Sequence, residues 1–199
     1  MDMSYALSFT RYALRAGQPK EIQSAVARPY SKDNRVDEAM HVLLLYEDPT
    51  DGHLIQSRVY TDMAWQWLLK PFLPRLWELP SIEVETDKAI IFFYNAMMPH
   101  LYHYISIVDK RTGRTEYHKQ YCGGPSWGNA YTTGGKGGKS YWSTYRWQLE
   151  AFTEKVRGKK IPYFISGEES IAQMETIDAI YRAAGLPVRP SSDASDWSS

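Results

Sequence analysis

Hydrophobic and polar positions along the chain change period several times, and each change marks an expected element. Tyr5, Phe9, Tyr12 and Leu14 recur near the helical period and Gly17 and Pro19 follow, which predicts a helix over residues 4–16. Residues 21–28 alternate instead, with Ile22, Ser24 and Val26 set against Gln23, Ala25 and Ala27, the period of a strand. Residues 37–46 end in Val42-Leu43-Leu44-Leu45-Tyr46, the pattern of a strand covered on both faces. Asp48-Pro49-Thr50-Asp51-Gly52 is a turn cluster, and residues 53–60 return as the second arm of a hairpin.

The rhythm breaks over residues 62–80, where Trp65, Trp67, Trp77, Pro71, Pro74 and Pro80 crowd together; three prolines exclude a long regular helix, so an irregular aromatic insertion is expected. Residues 81–86, 88–95 and 101–109 are three further strands, and Arg111-Thr112-Gly113-Arg114 turns the chain into another at 115–121. Residues 123–139 are glycine-rich and are expected to form a mobile loop. A helix over 143–157 groups Tyr145, Leu149, Phe152 and Val156 on one face and stops at Gly158. Ser166 with Glu169 is a capping box opening a last helix, with Ile171, Met174, Ile177 and Tyr181 on one face and Gly185 and Pro187 as its stop. Residues 191–199 form a polar tail, expected to be disordered. One helix, a run of antiparallel strands and two helices predict an α+β fold. The expectation is a single domain over residues 1–190, with helices packed on one face of a large, mostly antiparallel open sheet.

Composition narrows the function classes. The 199 residues hold 23 basic and 23 acidic side chains, a formal net charge of +0 that leaves no basic stripe for nucleic acid. Mean hydropathy is -0.48 and no apolar run reaches the length of a membrane span. The N-terminal residues lack a basic region followed by an apolar one, and the lone cysteine, Cys122, rules out an internal disulfide, so a cytoplasmic protein is expected. The 15 tyrosines and 7 tryptophans suit a ligand pocket or a subunit interface, although a broad antiparallel sheet also favours aromatics.

Few motifs carry chemistry. Gly138-Lys139-Ser140 resembles the end of a phosphate loop, but Thr133 stands where that loop needs its first glycine, and no dinucleotide fingerprint occurs, so no cofactor is expected. His100 and His103, read on a strand, would point to opposite faces and share no ion, and His118 is isolated, so no metal is expected. Cys122 lacks a convincing base and no G-x-S-x-G elbow exists. By themselves Asp2 and Tyr5 read as a charge suited to a helix start and a core aromatic.

Several segments resemble the C-terminal domain of the Gfo/Idh/MocA oxidoreductases, especially their fungal dihydrodiol dehydrogenase-like branch. The opening Met1-Asp2-Met3-Ser4-Tyr5-Ala6-Leu7 with Arg11-Tyr12 is similar to that family's D-x-G-x-Y element, and Pro99-His100-Leu101-Tyr102-His103 to one of its strands. The most specific segments are Tyr141-Trp142-Ser143-Thr144-Tyr145-Arg146-Trp147-Gln148-Leu149-Glu150-Ala151-Phe152, then Glu169-Ser170-Ile171-Ala172-Gln173-Met174 and Asp178-Ala179-Ile180-Tyr181-Arg182-Ala183-Ala184-Gly185-Leu186-Pro187. The resemblance implies a substrate and oligomerisation domain, with Tyr5 as proton donor beside Asp2. Asp2 and Tyr5 stand three apart where the family has four, and the family's nucleotide-binding domain is not in this sequence.

Three readings follow. The first is a cofactor-independent isomerase or cyclase, by analogy a pericyclic cyclase of a fungal natural-product pathway, acting on a small hydrophobic, polyketide- or terpenoid-like substrate. Tyr60, Trp65, Trp67, Tyr94, Tyr104 and Trp127 would form its walls, with Tyr102 and the imidazoles of His100 and His103 as acid–base candidates. The second is the substrate-binding half of a split NAD(P)-dependent oxidoreductase. The third is a non-catalytic binding or scaffold module. A homodimer through the open sheet face fits each of them.

Overall fold

Among the described residues the alternation and the helical periods resolve into three helices and seven strands. A computed structural model describes residues 2–64, 79–119, 121, 142–159, 161 and 164–188. Helix α1 spans Asp2–Leu14, strands β1, β2 and β3 span Glu21–Tyr30, Asp33–Glu47 and Leu54–Asp62, and β4, β5, β6 and β7 span Ile82–Glu85, Ala89–Tyr94, Tyr104–Asp109 and Thr115–His118. Helices α2 and α3 span Thr144–Val156 and Gly167–Ala183. The protein is an α+β fold whose sheets are antiparallel throughout. Among the described residues no helix is long and apolar enough to cross a membrane.

Among the described residues the strands form two sheets, β1-β2-β3 and β4-β5-β6-β7, where their run predicted one large sheet. Short turns join neighbours within each, except for the longer loop, residues 95–103, between β5 and β6. At the β6–β7 turn Gly113 takes φ 70° and its N–H donates to the Asp109 carbonyl at 2.8 Å, a conformation that L side chains rarely adopt. Between β3 and β4 the sequence carries Pro71, Pro74 and Pro80, which have no N–H to give to a ladder. Contacts divide the chain into two compact units, Met1–Gln66 with Ile165–Ser199, and Trp67–Phe164.

In the first unit, α1 and α3 pack on the three-stranded sheet. Met40, Val42, Leu44 and Tyr46 of β2 are buried on one face, against Met3 and Leu7 of α1 and Ile180 of α3. The apolar run of β2 is therefore not covered equally on both faces. Leu43 and Leu45 are only half-buried, flanked in register by Ser24 and Arg58 and by Glu21 and Gln56, whose polar ends keep that face wet. Helix α1 likewise turns Met3, Leu7 and Leu14 inward, whereas Tyr5 and Tyr12 are exposed. Both stripes have the helical period, and the slim aliphatic one faces the sheet.

Polar contacts join the two helices. Ser8 Oγ donates to Gln173 Oε1 at 2.8 Å, Gln173 Nε2 donates to the Ser4 carbonyl at 2.8 Å, and an Arg11 guanidinium N–H reaches the Glu169 carbonyl at 3.0 Å. The capping box forms as expected, with Glu169 N–H donating to Ser166 Oγ at 3.1 Å and Ser166 N–H to Glu169 Oε2 at 2.8 Å. Ser166→Ala is expected to cost about 1 kcal/mol, read by urea denaturation. The predicted α3 stripe holds only in its second half: Ile177 and Tyr181 pack on the core, but Ile171 and Met174 are exposed.

Tyr46 is fully buried and its hydroxyl has no hydrogen-bond partner among the described residues. Burial pushes its phenol up to about 12, partly opposed by the Arg11 charge. The unfolded phenol ionises near 10, so between about pH 10 and 12 the unfolded chain holds fewer protons than the folded one and stability falls. Tyr46→Phe removes an unsatisfied hydroxyl. It is expected to leave stability at pH 7 unchanged or raised and to flatten the decline above pH 10, both measurable by denaturation against pH.

Candidate functional site

The second unit gathers most of the described candidates around the loop between β5 and β6. Asn95 opens that loop at φ 54°, a left-handed conformation asparagine tolerates better than most residues. It is buried, and its amide donates to the Met98 carbonyl at 3.0 Å and the Tyr102 carbonyl at 2.7 Å, stitching the loop into a fixed shape. Residues 101–103 are consequently loop and not strand, since β6 begins at Tyr104.

This revises the reading of the two histidines. Neither lies on a strand, so they are not sent to opposite faces; the rings of His100 and His103 stand 6.2 and 6.1 Å from that of Tyr121. His103 is buried, and its Nδ1 lies 2.7 Å from the Pro99 carbonyl. A carbonyl only accepts, so Nδ1 carries the proton and the neutral ring has its lone pair at Nε2. The Phe93 ring, 6.1 Å away and edge-on, fixes the imidazole plane further. His100 Nδ1 is buried without a partner among the described residues.

Aromatic side chains continue from this loop across one face of the sheet. Tyr94 and Tyr104 are register partners and stack at 5.2 Å and 15°. Tyr102 meets both edge-on, at 6.2 and 6.4 Å, and Tyr117 meets Tyr104 at 5.9 Å. An open hollow of about 310 Å³ lies beside them, lined by residues 99–103 with Lys119 and Tyr121. Lys119 Nζ sits 4.6 Å from the centre of the Tyr102 ring, and no carboxylate among the described residues lies within ion-pair reach of it. The Tyr121 hydroxyl donates to the Trp142 carbonyl at 2.7 Å; burial raises its pKa, against a lowering hydrogen bond with Trp147. The hollow thus sets an imidazole base, a cation and aromatic walls around one small volume.

Sequence reasoning found Tyr94, His100, Tyr102, His103 and Tyr104, and missed Asn95, Lys119 and Tyr121. The alternation over 115–121 held Tyr121 as an ordinary strand residue, and nothing local to Lys119 marks it as a neighbour of Tyr102. The other described candidates belong to the first unit. Asp2 opens α1, and Tyr5, 40% exposed, is no core aromatic. Tyr60 is held in a surface network: its hydroxyl donates to Asp62 at 2.7 Å, its ring lies 4.2 Å from His41, and Arg28 bridges Asp62 to Glu38 at 2.8 Å. Trp65, Trp67 and Trp127 lie outside the described residues, as do the glycine-rich segment 123–139, the tail 191–199 and most of the aromatic insertion.

Asp48, Asp51 and His53, in the exposed β2–β3 turn, place ligand atoms within 4.8 Å of one another. Those atoms already hold the turn: Thr50 N–H donates to Asp48 at 2.7 Å, and His53 N–H and Nδ1 bond Asp51 at 3.0 and 2.7 Å. The Asp51 hydrogen bond raises the His53 pKa, the sign of a carboxylate–imidazolium pair.

A scan against models of known protein families finds no match, and a search of curated proteins finds none either.

Proposed function

We propose that the hollow of the second unit is the site of a cofactor-independent acid–base enzyme, an isomerase or cyclase acting on a planar, mostly apolar small molecule that carries a carbonyl. The observation that carries this reading is His103, a buried imidazole whose Nδ1–H bond to Pro99 puts the basic lone pair on Nε2, in a hollow also lined by Lys119, whose ammonium has no carboxylate within ion-pair reach among the described residues. In the proposed reaction Nε2 takes a proton from the carbon next to the carbonyl, and Lys119 donates a hydrogen bond to the enolate oxygen that forms. The imidazolium then returns the proton to another carbon of the conjugated system, or the enolate carbon closes a ring onto a carbonyl or conjugated acceptor within the same molecule and the imidazolium protonates the oxyanion that this addition forms. Protons and electrons balance without a cofactor. Tyr102 and Tyr121, which line the hollow, supply flat apolar walls suited to a polyketide- or terpenoid-like skeleton, and Tyr94 and Tyr104 meet Tyr102 from the adjoining sheet face.

A simple aromatic ketone tests the reading. With 2-tetralone in deuterated buffer, loss of the proton NMR signal at the carbon between ring and carbonyl is expected to be faster with the folded protein than with the heat-denatured protein. Equal rates would overturn the acid–base assignment.

A further inference from the structure

Helix α2 is built with its apolar stripe outward. The side facing its own unit carries Trp147, whose indole interacts with the Tyr121 hydroxyl and packs 5.2 Å from Trp142, followed by the buried Ala151 and Glu154. The Glu154 carboxylate is satisfied there by Arg157 at 3.2 Å and by Lys159. On the opposite side Tyr145, Leu149, Phe152 and Val156 are 72%, 53%, 55% and 69% exposed. Four large apolar side chains in a row on one exposed helix face are costly unless something covers them.

The order of the stripe indicates what covers it. Its spacing of four, three and four residues is that of a coiled-coil seam. Aromatic and aliphatic residues alternate along it, so reversing the helix about a point between Glu150 and Ala151 lays each aromatic on an aliphatic. A parallel pairing would set Tyr on Tyr and Val on Val, overfilling one layer and underfilling another. The flanks agree with the reversed arrangement. Arg146 would lie beside Thr153 and Gln148 beside Lys155, with no like charges apposed, and Arg146 is already neutralised by Glu150 one turn on.

We propose that the chain forms an antiparallel homodimer through α2, with Tyr145 packed on Val156 and Leu149 on Phe152 of the second copy. The seam is distinct from the open sheet face. Four side chains per copy bury on the order of 1,000 Å² in total, at the lower edge of specific interfaces, so the dimer is weak and reversible.

Sedimentation velocity on the full chain is expected to show a dimer fraction that rises over roughly 1–100 µM. The double substitution Leu149→Lys with Phe152→Lys is expected to abolish it while circular dichroism is unchanged, since both positions are exposed. A purely monomeric wild type, or a dimer that survives the double substitution, overturns the proposal. Orientation is read by disulfide trapping in a Cys122→Ser background. A mixture of Tyr145→Cys and Val156→Cys chains should cross-link, whereas Tyr145→Cys alone should not, because its two copies would lie ~16 Å apart along the axis. Cross-linking of Tyr145→Cys alone overturns the antiparallel seam. None of these residues lines the hollow, so this test stands or falls separately from the acid–base reading.

Discussion

His103→Asn is expected to lower protein-dependent exchange of the 2-tetralone proton at least ~100-fold, the usual contribution of a positioned general base. Asparagine is chosen because its amide N–H can replace Nδ1–H as the donor to the Pro99 carbonyl, while no basic nitrogen remains at the Nε2 position. Near-native thermal denaturation of the variant would separate lost chemistry from lost fold. His100→Asn serves as the internal comparison. The buried Nδ1 of His100 has no partner among the described residues to lose, and the proposed reaction gives that residue no proton to move, so its variant should lose less than tenfold. Equal losses in both variants would point to loop packing as the cause and remove His103 from the role of base. An unchanged rate in His103→Asn would do the same.

Leu44→Ala is expected to cost about 2–5 kcal/mol in urea denaturation, the largest stability effect predicted for the first unit. Leu44 is fully buried at the middle strand of its sheet, in the cluster that also holds Leu7, Met40 and Ile180. Removing three side-chain carbons there leaves a void between sheet and helices that the helix layer does not readily close, since α1 and α3 are pinned to each other by the Gln173 and Arg11 contacts. Leu43→Ala, one residue away on the half-buried face, should cost less than half as much. Similar costs at the two positions would mean that the outer face of β2 is covered as fully as the inner one.

How much of this was legible in the sequence follows from the range of the interactions involved. The capping box at Ser166 and Glu169 and the turns at Gly52 and Gly113 depend on groups a few residues apart, and all were readable along the chain. The α+β class followed from the order of those elements. Which face of each helix turns inward did not. In α1 the readable stripe included Tyr5 and Tyr12, which end exposed because a second, slimmer stripe with the same period faces the sheet, and in α3 Ile171 and Met174 end exposed while Ile177 and Tyr181 pack on the core. In α2 the apolar stripe is wholly exposed, because Tyr121, far away in sequence, holds the Trp147 side.

The candidate site divides in the same way. Tyr94, Tyr104 and the two histidines were visible as candidates by residue type, but their meeting was not. Asn95 bends residues 95–103 out of the strand pattern, bringing both imidazoles beside Tyr121. The splitting of the strands into two sheets is likewise a matter of pairing between distant segments. By itself the sequence determined the elements, because backbone hydrogen bonds and turn chemistry are local. Only the tertiary structure decided the faces, the sheets and the hollow, because burial is won in competition among side chains that no window of sequence contains together.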